Sequence, residues 1–335
     1  MTLSWRRMAI ALALLALPLS AANATTLRVT LQLPITAPFG QNLLFFKDRV
    51  EQASGGDITV EIYPNAQLYT DKEVPAAVAT GQIEMGVAFT NRLAGLIPAI
   101  EVFSVPFLFD TQERVFAATA QGSPVRGPLD EAMTARGMRP LWWQPYGFAI
   151  IMADTPVRRP EDLKGLKIRT FGKAYEQLIS SLGGAATNIP GSEQYLAYER
   201  GTVDGGMTGV MGVKDRKLYQ VLETITDANV AAIEAVVLIN ERVWQGLDAD
   251  EQKIVAEAAA AAEADINAKI GSILADSIAA AEEGGMEVVR LTDADRTAWQ
   301  EATRPLWDRF RADTGDLGGQ LMDAAEAIRA ETAGR

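Results

Sequence analysis

Two stretches about 120 residues apart share one local grammar, and no other feature of the 335-residue chain constrains its fold as much. Val78-Ala79-Thr80-Gly81-Gln82-Ile83-Glu84-Met85-Gly86 reads as a helix end, a glycine stop, then a strand with an acid at its start. Tyr198-Glu199-Arg200-Gly201-Thr202-Val203-Asp204-Gly205-Gly206 repeats that order. The separation is too long for a solenoid period, which runs roughly 20–50 residues. One supersecondary unit used once in each of two lobes accounts for the echo. Both strands then end at a shared cleft. The first leads to Phe89, Thr90, Asn91 and Arg92, the second to Met207 and Thr208.

The surrounding pattern fits that reading. Leu27, Val29, Leu31 and Leu33 alternate with polar residues as a strand does, and so do Ile58, Val60 and Ile62. Helices are predicted from Phe39 to Ser54 and, with Asp71 as N-cap, up to Thr80; a third strand follows over Ile83–Ala88. Such βα alternation predicts an α/β fold with mainly parallel sheets flanked by helices. Arg139–Gln144 and Phe148–Ala153 read as consecutive strands, with Pro145-Tyr146-Gly147 as the hinge between them. Leu166–Thr170 is another strand, followed by a helix from Lys173 to Leu182 and one from Ser192, its cap, to Arg200. Val230–Ile239 reads as a buried strand returning to the first lobe. Alanine-rich Asp248–Glu283 is a very long helix, with a bend expected near Gly271, and helices over Asp293–Thr314 and Asp316–Thr332 finish the chain. The lobes divide as 25–148 plus 236–274 and 149–235 plus 275–335.

Residues 1–24 stand apart. Arg6 and Arg7, the apolar run Ile10–Leu19, and Ala22-Asn23-Ala24 form the three parts of a secretory signal peptide, cleaved after Ala24. The apolar run is short of the roughly 20 residues that a membrane span needs. Removing its two arginines leaves 29 basic against 43 acidic side chains, a net charge of −14. So acidic a body argues against nucleic acid and anionic membranes as partners. The chain has no cysteine and no histidine. Disulfides, thiol chemistry, the commonest general base and the usual zinc ligand go with them. No cofactor, metal site or catalytic residue is expected; acids do not recur at metal-ligand spacing.

Arg169 is the leading candidate for a binding role. Asp162-Leu163-Lys164-Gly165-Leu166-Lys167-Ile168-Arg169 runs from a loop into a strand and delivers one guanidinium at its far end. Ligands of open α/β sheets sit beyond the carboxyl ends of the strands. A planar guanidinium there grips a carboxylate with two parallel hydrogen bonds. The competing role is a structural ion pair with an interior acid. Arg92 has the matching position after its own strand; a solvated loop residue is its competing reading. Trp142, Trp143, Tyr146, Phe148 and Phe171 cluster near the hinge, and one or two of them are expected to line a pocket, the rest to fill the core.

The residues Tyr63-Pro64-Asn65-Ala66-Gln67-Leu68, Pro106-Phe107-Leu108-Phe109, Asp162–Arg169 and Tyr195–Gly205 each carry weak information, but their order and spacing are specific. Through them the chain resembles the substrate-binding proteins of TRAP transporters, the DctP-type extracytoplasmic solute receptors, over nearly all of its length after residue 24. The resemblance implies a periplasmic-binding-protein-like fold of two lobes, joined by crossing strands and braced by a long helix. It implies that Arg169 forms the salt bridge to a ligand carboxylate. It places Arg92 where some members use a second arginine, Gln32 where an amide reaches the ligand, and Thr208 where asparagine is frequent. Phe89, Asn91, Phe148 and Phe171 complete the expected ligand wall. Ala149 departs from the pattern, because many binders of sialic and sugar acids carry arginine there. A monocarboxylate such as a sugar, keto or aromatic acid is therefore favoured. The implied partners are the small and large TRAP membrane subunits, the implied location is the periplasm, and the protein is expected to be monomeric.

An exported enzyme that acts on an anionic metabolite through carboxylates is the reading from another class, and a ligand-sensing receptor module is a third. N-terminal sequencing of the exported protein is expected to begin at Thr25; a chain that retains Arg6 and Arg7 would contradict cleavage.

Overall fold

Ten strands form one continuous sheet in a computed structural model that describes residues 25–333; the signal-peptide reading of residues 1–24 lies outside them. In chain order they are β1 (Thr25–Thr30), β2 (Ile58–Tyr63), β3 (Met85–Phe89), β4 (Met138–Ala153), β5 (Lys167–Thr170), β6 (Ala185–Asn188), β7 (Gly205–Gly209), β8 (Thr224–Asp227), β9 (Ala232–Asn240) and β10 (Glu287–Arg290). The sheet runs β2-β1-β3-β9-β4-β7-β5-β6, with β8 against β4 and β10 against β8. One lobe is built on β2-β1-β3, the other on β7-β5-β6, and β4 and β9 cross between them. Within each lobe these three strands are parallel, while β9 lies antiparallel to β3 and β4.

The echo seen in the sequence is structural. Val29 pairs with Met85 across β1 and β3, and Ile168 pairs with Gly205 across β5 and β7. The repeated acid has the same task in each lobe. Glu84 accepts from the backbone N–H of Arg28 at 3.1 Å and from its Nε at 2.7 Å. Asp204 accepts from the backbone N–H of Lys167 at 2.8 Å. Each acid thereby pins the neighbouring parallel strand, at its fourth residue in β1 and at its first in β5.

The expected pair of strands around residues 145–147 is instead one strand, β4, 16 residues long. Pro145-Tyr146-Gly147 is not a break. It is an irregularity, because the register against β9 shifts between Pro145 and Phe148. Proline has no N–H for the ladder, which suits it to such a position. Gly147 has φ +86°, and a Cβ there would stand 2.6 Å from Leu274 of the long helix, so only glycine fits. The strand survives because it changes partner. Phe148 still pairs with β9, and Ala149 already pairs with β7. Every residue of β9 is buried, as in a strand covered on both faces.

The long helix Ala249–Glu283 begins in a capping box between Asp248 and Glu251 and runs unbroken past Gly271, where a bend was expected. It braces both lobes. Asn42 of the helix Pro38–Ala53 donates to the carbonyl of Ala262 at 2.8 Å and accepts from Trp142 Nε1 at 3.0 Å. At its far end Gly284 meets the ring of Tyr219, in the second lobe. Beyond β10 the sequence predicted one helix to Thr314, but it ends at Thr303 and Pro305 starts the next, which kinks at Gly315. Proline cannot continue a helix but fits its first turn. This last helix, assigned with lobe II, docks on the first lobe instead: Trp307 Nε1 donates to the carbonyl of Pro106 at 2.8 Å, and Arg329 donates to that of Leu108 at 2.9 Å. Among the described residues no helix is long and apolar enough to cross a membrane.

Glu234 of β9 lies opposite Pro145, is 1% exposed, and has no hydrogen-bond partner on either oxygen. Burial, with the charge of Glu263 second, raises its pKa well above the carboxylate range. The folded chain therefore keeps a proton that the unfolded chain releases, and stability falls as pH rises from the unfolded value toward the raised one. Glu234→Gln removes that loss. Urea titrations from mildly acidic to neutral pH are expected to show the variant gaining on the wild type by up to about 1.4 kcal/mol per pH unit. A gap that stays constant with pH would contradict the buried proton.

Candidate functional site

The ends of β1, β3, β5 and β7 converge on a cavity of about 20 Å³ between the lobes. That is room for little more than one water. Gln32 reaches it from the loop after β1, and Phe89 from the end of β3. Asn91 and Arg92 come from the 3₁₀ turn Thr90–Leu93. On the opposite wall Arg169 comes from β5, Phe171 from just beyond it, and Thr208 from β7.

Phe148 does not join them. It is half-buried against the apolar cluster that contains Val236 and Trp143. The register shift between Pro145 and Phe148 breaks the simple alternation of side chains and turns Tyr146 into the cavity in its place. Of the five clustered aromatics, Tyr146 and Phe171 line the cavity, while Trp142 and Trp143 are core.

Arg169 is 2% exposed. Its Nε donates to the carbonyl of Ile189 at 2.9 Å and its Nη1 to that of Met207 at 2.7 Å. Its guanidinium carbon stands 5.2 Å from the centre of the Phe171 ring. Among the described residues Arg169 forms no ion pair within 4.0 Å; its side-chain hydrogen bonds go to the two carbonyls, so the structural ion pair is not formed. Two carbonyls orient the group without neutralising it. Burial, ahead of the neighbouring charges of Arg216 and Arg92, lowers its pKa to about 10, which still leaves it charged at neutral pH. A buried cation without a counterion is costly and is stabilised by any anion that reaches it.

Arg92 is different. Asp71 was expected to cap a helix, but that helix starts at Val74 with Glu73 as its cap. Asp71 turns inward, and its Oδ2 accepts from Arg92 Nε at 2.9 Å; both side chains are almost wholly buried. The charge of Arg92 is thus compensated within the protein. The sequence reading also missed Arg216, which lines the cavity from the C-terminal end of the helix Val210–Asp215. Tyr146 and Tyr198, both buried, have pKa values pushed up to about 12, chiefly by desolvation, so they stay protonated phenols. The Tyr198 hydroxyl has no hydrogen-bond partner.

The lobes touch across the cleft. Asn91 Nδ2 donates to the carbonyl of Phe171. Arg92 Nη1 donates to Asn188 Oδ1 at 3.0 Å, and Lys72 Nζ to the Asn188 carbonyl at 3.3 Å. Glu101 accepts from the Ala174 N–H at 3.0 Å, at the positive end of the helix Lys173–Ser181. A larger cavity, about 480 Å³, shares Asn91 and Arg92 with the first and is bounded by Phe310 and Thr314 of the last helix. The small cavity is the better candidate, because the uncompensated buried cation faces it. Among the described residues no cluster of His, Cys, Asp or Glu could hold a metal ion.

Residues 32–313 match the family described as bacterial extracellular solute-binding protein, family 7. The C4-dicarboxylate-binding periplasmic protein DctP of Rhodobacter capsulatus is 29% identical over 297 residues, 88% of each chain. A TRAP periplasmic solute-binding protein from Shewanella oneidensis with bound succinate superposes with a TM-score of 0.86 at 25% identity, covering 91% of this chain and 99% of that one. DctP7 of Bordetella pertussis, an extracytoplasmic solute receptor binding pyroglutamic acid, has the same fold, with a TM-score of 0.86, 23% identity, and 90% and 100% of the two chains covered.

Asp71→Ala strands the Arg92 guanidinium in the interior. Removing one partner of a buried pair costs about 3–5 kcal/mol, so urea unfolding should show a loss of that order. In Asp71→Leu/Arg92→Met no buried charge is left alone, and the double variant should lose less than the single. Near-wild-type stability of Asp71→Ala would show that water reaches the pair.

Proposed function

Because the chain belongs to the bacterial extracellular solute-binding proteins of family 7, the substrate receptors of TRAP transporters, we propose that it captures a small organic acid in the interlobe cleft and presents it to TRAP membrane subunits. The observation that carries this reading is Arg169, a guanidinium out of water, oriented by two carbonyls and paired with no acid. A ligand carboxylate is its missing counterion. The acids named for the relatives from Rhodobacter capsulatus and Shewanella oneidensis support that ligand class.

The mechanism follows from the cleft. When the lobes part, water reaches Arg169 and an acid enters and pairs with it. Closure expels that water, and the charge pair strengthens in the lower dielectric. Hydrogen bonds to charged groups contribute about 1.5–3 kcal/mol each. A few of these, with Thr208, Gln32 and Asn91 as polar contacts and Phe89 and Phe171 against the ligand body, support a dissociation constant of about a micromolar, near −8 kcal/mol. The ligand shifts the population toward the closed form, which the membrane subunits then recognise.

Turnover is not part of this reading. Asp71, the carboxylate lining the cavity, is held by Arg92, and the Tyr146 phenol is too basic to have lost its proton at neutral pH. We assign the periplasm as the compartment, cleavage after Ala24, a monomeric state, and lobes divided as read from the sequence except that the last helix goes with the first.

Arg169→Gln is expected to lose at least about 100-fold in affinity for the acid that binds the wild type, since bonds to its guanidinium supply several kcal/mol. Isothermal titration measures this, with circular dichroism to check the fold. A folded variant that binds as the wild type does would overturn the assignment of Arg169.

A further inference from the structure

Ala149 removes one familiar second cation from the cleft, but the fold supplies another from a different element. The helix Val210–Asp215 follows directly on β7, and its end carries Arg216 back over the cavity. Two glycines make the space. A Cβ on Gly212 would stand 2.7 Å from Arg216 Nη1, 2.9 Å from Thr208 Oγ1 and 3.0 Å from the Tyr146 hydroxyl. A Cβ on Gly191 would stand 2.9 Å from Arg216 Nη2 and 2.7 Å from Gln32 Oε1. The guanidinium therefore sits among a hydroxyl, a phenol and an amide that already face the cavity. Its one side-chain hydrogen bond is a long one, 3.4 Å, to the Tyr146 hydroxyl. Its sequence neighbour Asp215 makes no ion pair with it within 4.0 Å, and Asp215 Oδ2 has no hydrogen-bond partner; burial raises the Asp215 pKa to about 6, and the charge of Arg216 only partly offsets that.

We infer that Arg216 is a specificity-determining residue, which receives a second anionic group of the ligand while Arg169 holds the first. This rests on the functional reading above and sharpens it. Of the three guanidiniums lining the cavity, Arg92 is neutralised by Asp71, and Arg169 and Arg216 are left for the ligand. Two cations without an ion-pair partner within 4.0 Å, Arg169 buried and Arg216 half-buried, favour an acid with two negative groups over its singly charged analogue. This reverses the preference read from Ala149 alone.

Isothermal titration of matched pairs tests it: succinate against butyrate, glutarate against valerate, galactarate against galactonate. The wild type is expected to bind at least one diacid tenfold or more tighter than its partner. Arg216→Gln should lose about tenfold or more on that diacid and little on the monoacid, while Arg169→Gln loses both. Gly212→Ala keeps the charge but pushes the guanidinium aside, and should erode the same preference in a protein with an intact helix. A wild type that favours the monoacids, or an Arg216→Gln that weakens both members of a pair alike, overturns the inference and leaves the functional reading standing, provided binding still depends on Arg169. A wild type that binds none of the three diacids overturns the inference, while the functional reading stands or falls on the Arg169→Gln titration with the acid that the wild type does bind.

Discussion

A positive charge held out of water without a negative one beside it is the constraint on which this structure turns. Arg169 could have been neutralised by a neighbouring acid, as Arg92 is by Asp71. It is met by two backbone carbonyls and an aromatic face, which fix its direction and leave its charge. Such a group opposes folding unless the rest of the molecule holds it in place. The parallel strands on either side of β5, the long helix and the buried cross-strands supply that rigidity. The arrangement resembles other functional sites, where a local cost is retained because a ligand relieves it.

Much of the site was legible because strand ends are legible. Gln32, Phe89, Asn91, Arg92, Arg169, Phe171 and Thr208 all lie at or just past the carboxyl end of a parallel strand, and period-two patterning with glycine stops marks those ends. What the sequence did not reveal came from elsewhere. Asp71 lies in a turn, and Arg216 beyond a six-residue helix, so the direction of each side chain depends on packing. Phe148 and Tyr146 exchanged roles because an irregular strand resets the alternation, and nothing in the residue pattern announces the shift.

The elements show the same division. The echo between residues 78–86 and 198–206 gave the two-lobed plan, and the repeated acid proved to have one structural task in both lobes. Strands β6 and β8 were missed. Ala185-Ala186-Thr187-Asn188 and Thr224-Ile225-Thr226-Asp227 are four residues each, with little apolar alternation, and exist because a neighbouring strand offers backbone partners. The continuity of β4 was hidden for the opposite reason. Proline and glycine read as a stop, but β9 and β7 hold the strand on both sides of them.

That continuity has a consequence for where the lobes meet the pocket. The two lobes are joined by an uninterrupted ribbon, and its pairing slips between Pro145 and Phe148, where it passes from β9 to β7. Tyr146 stands at that point with its hydroxyl in the cavity. One residue thus occupies both the irregular point of the strand that joins the halves and the wall of the pocket, so a molecule that touches the phenol also touches the connection between the lobes.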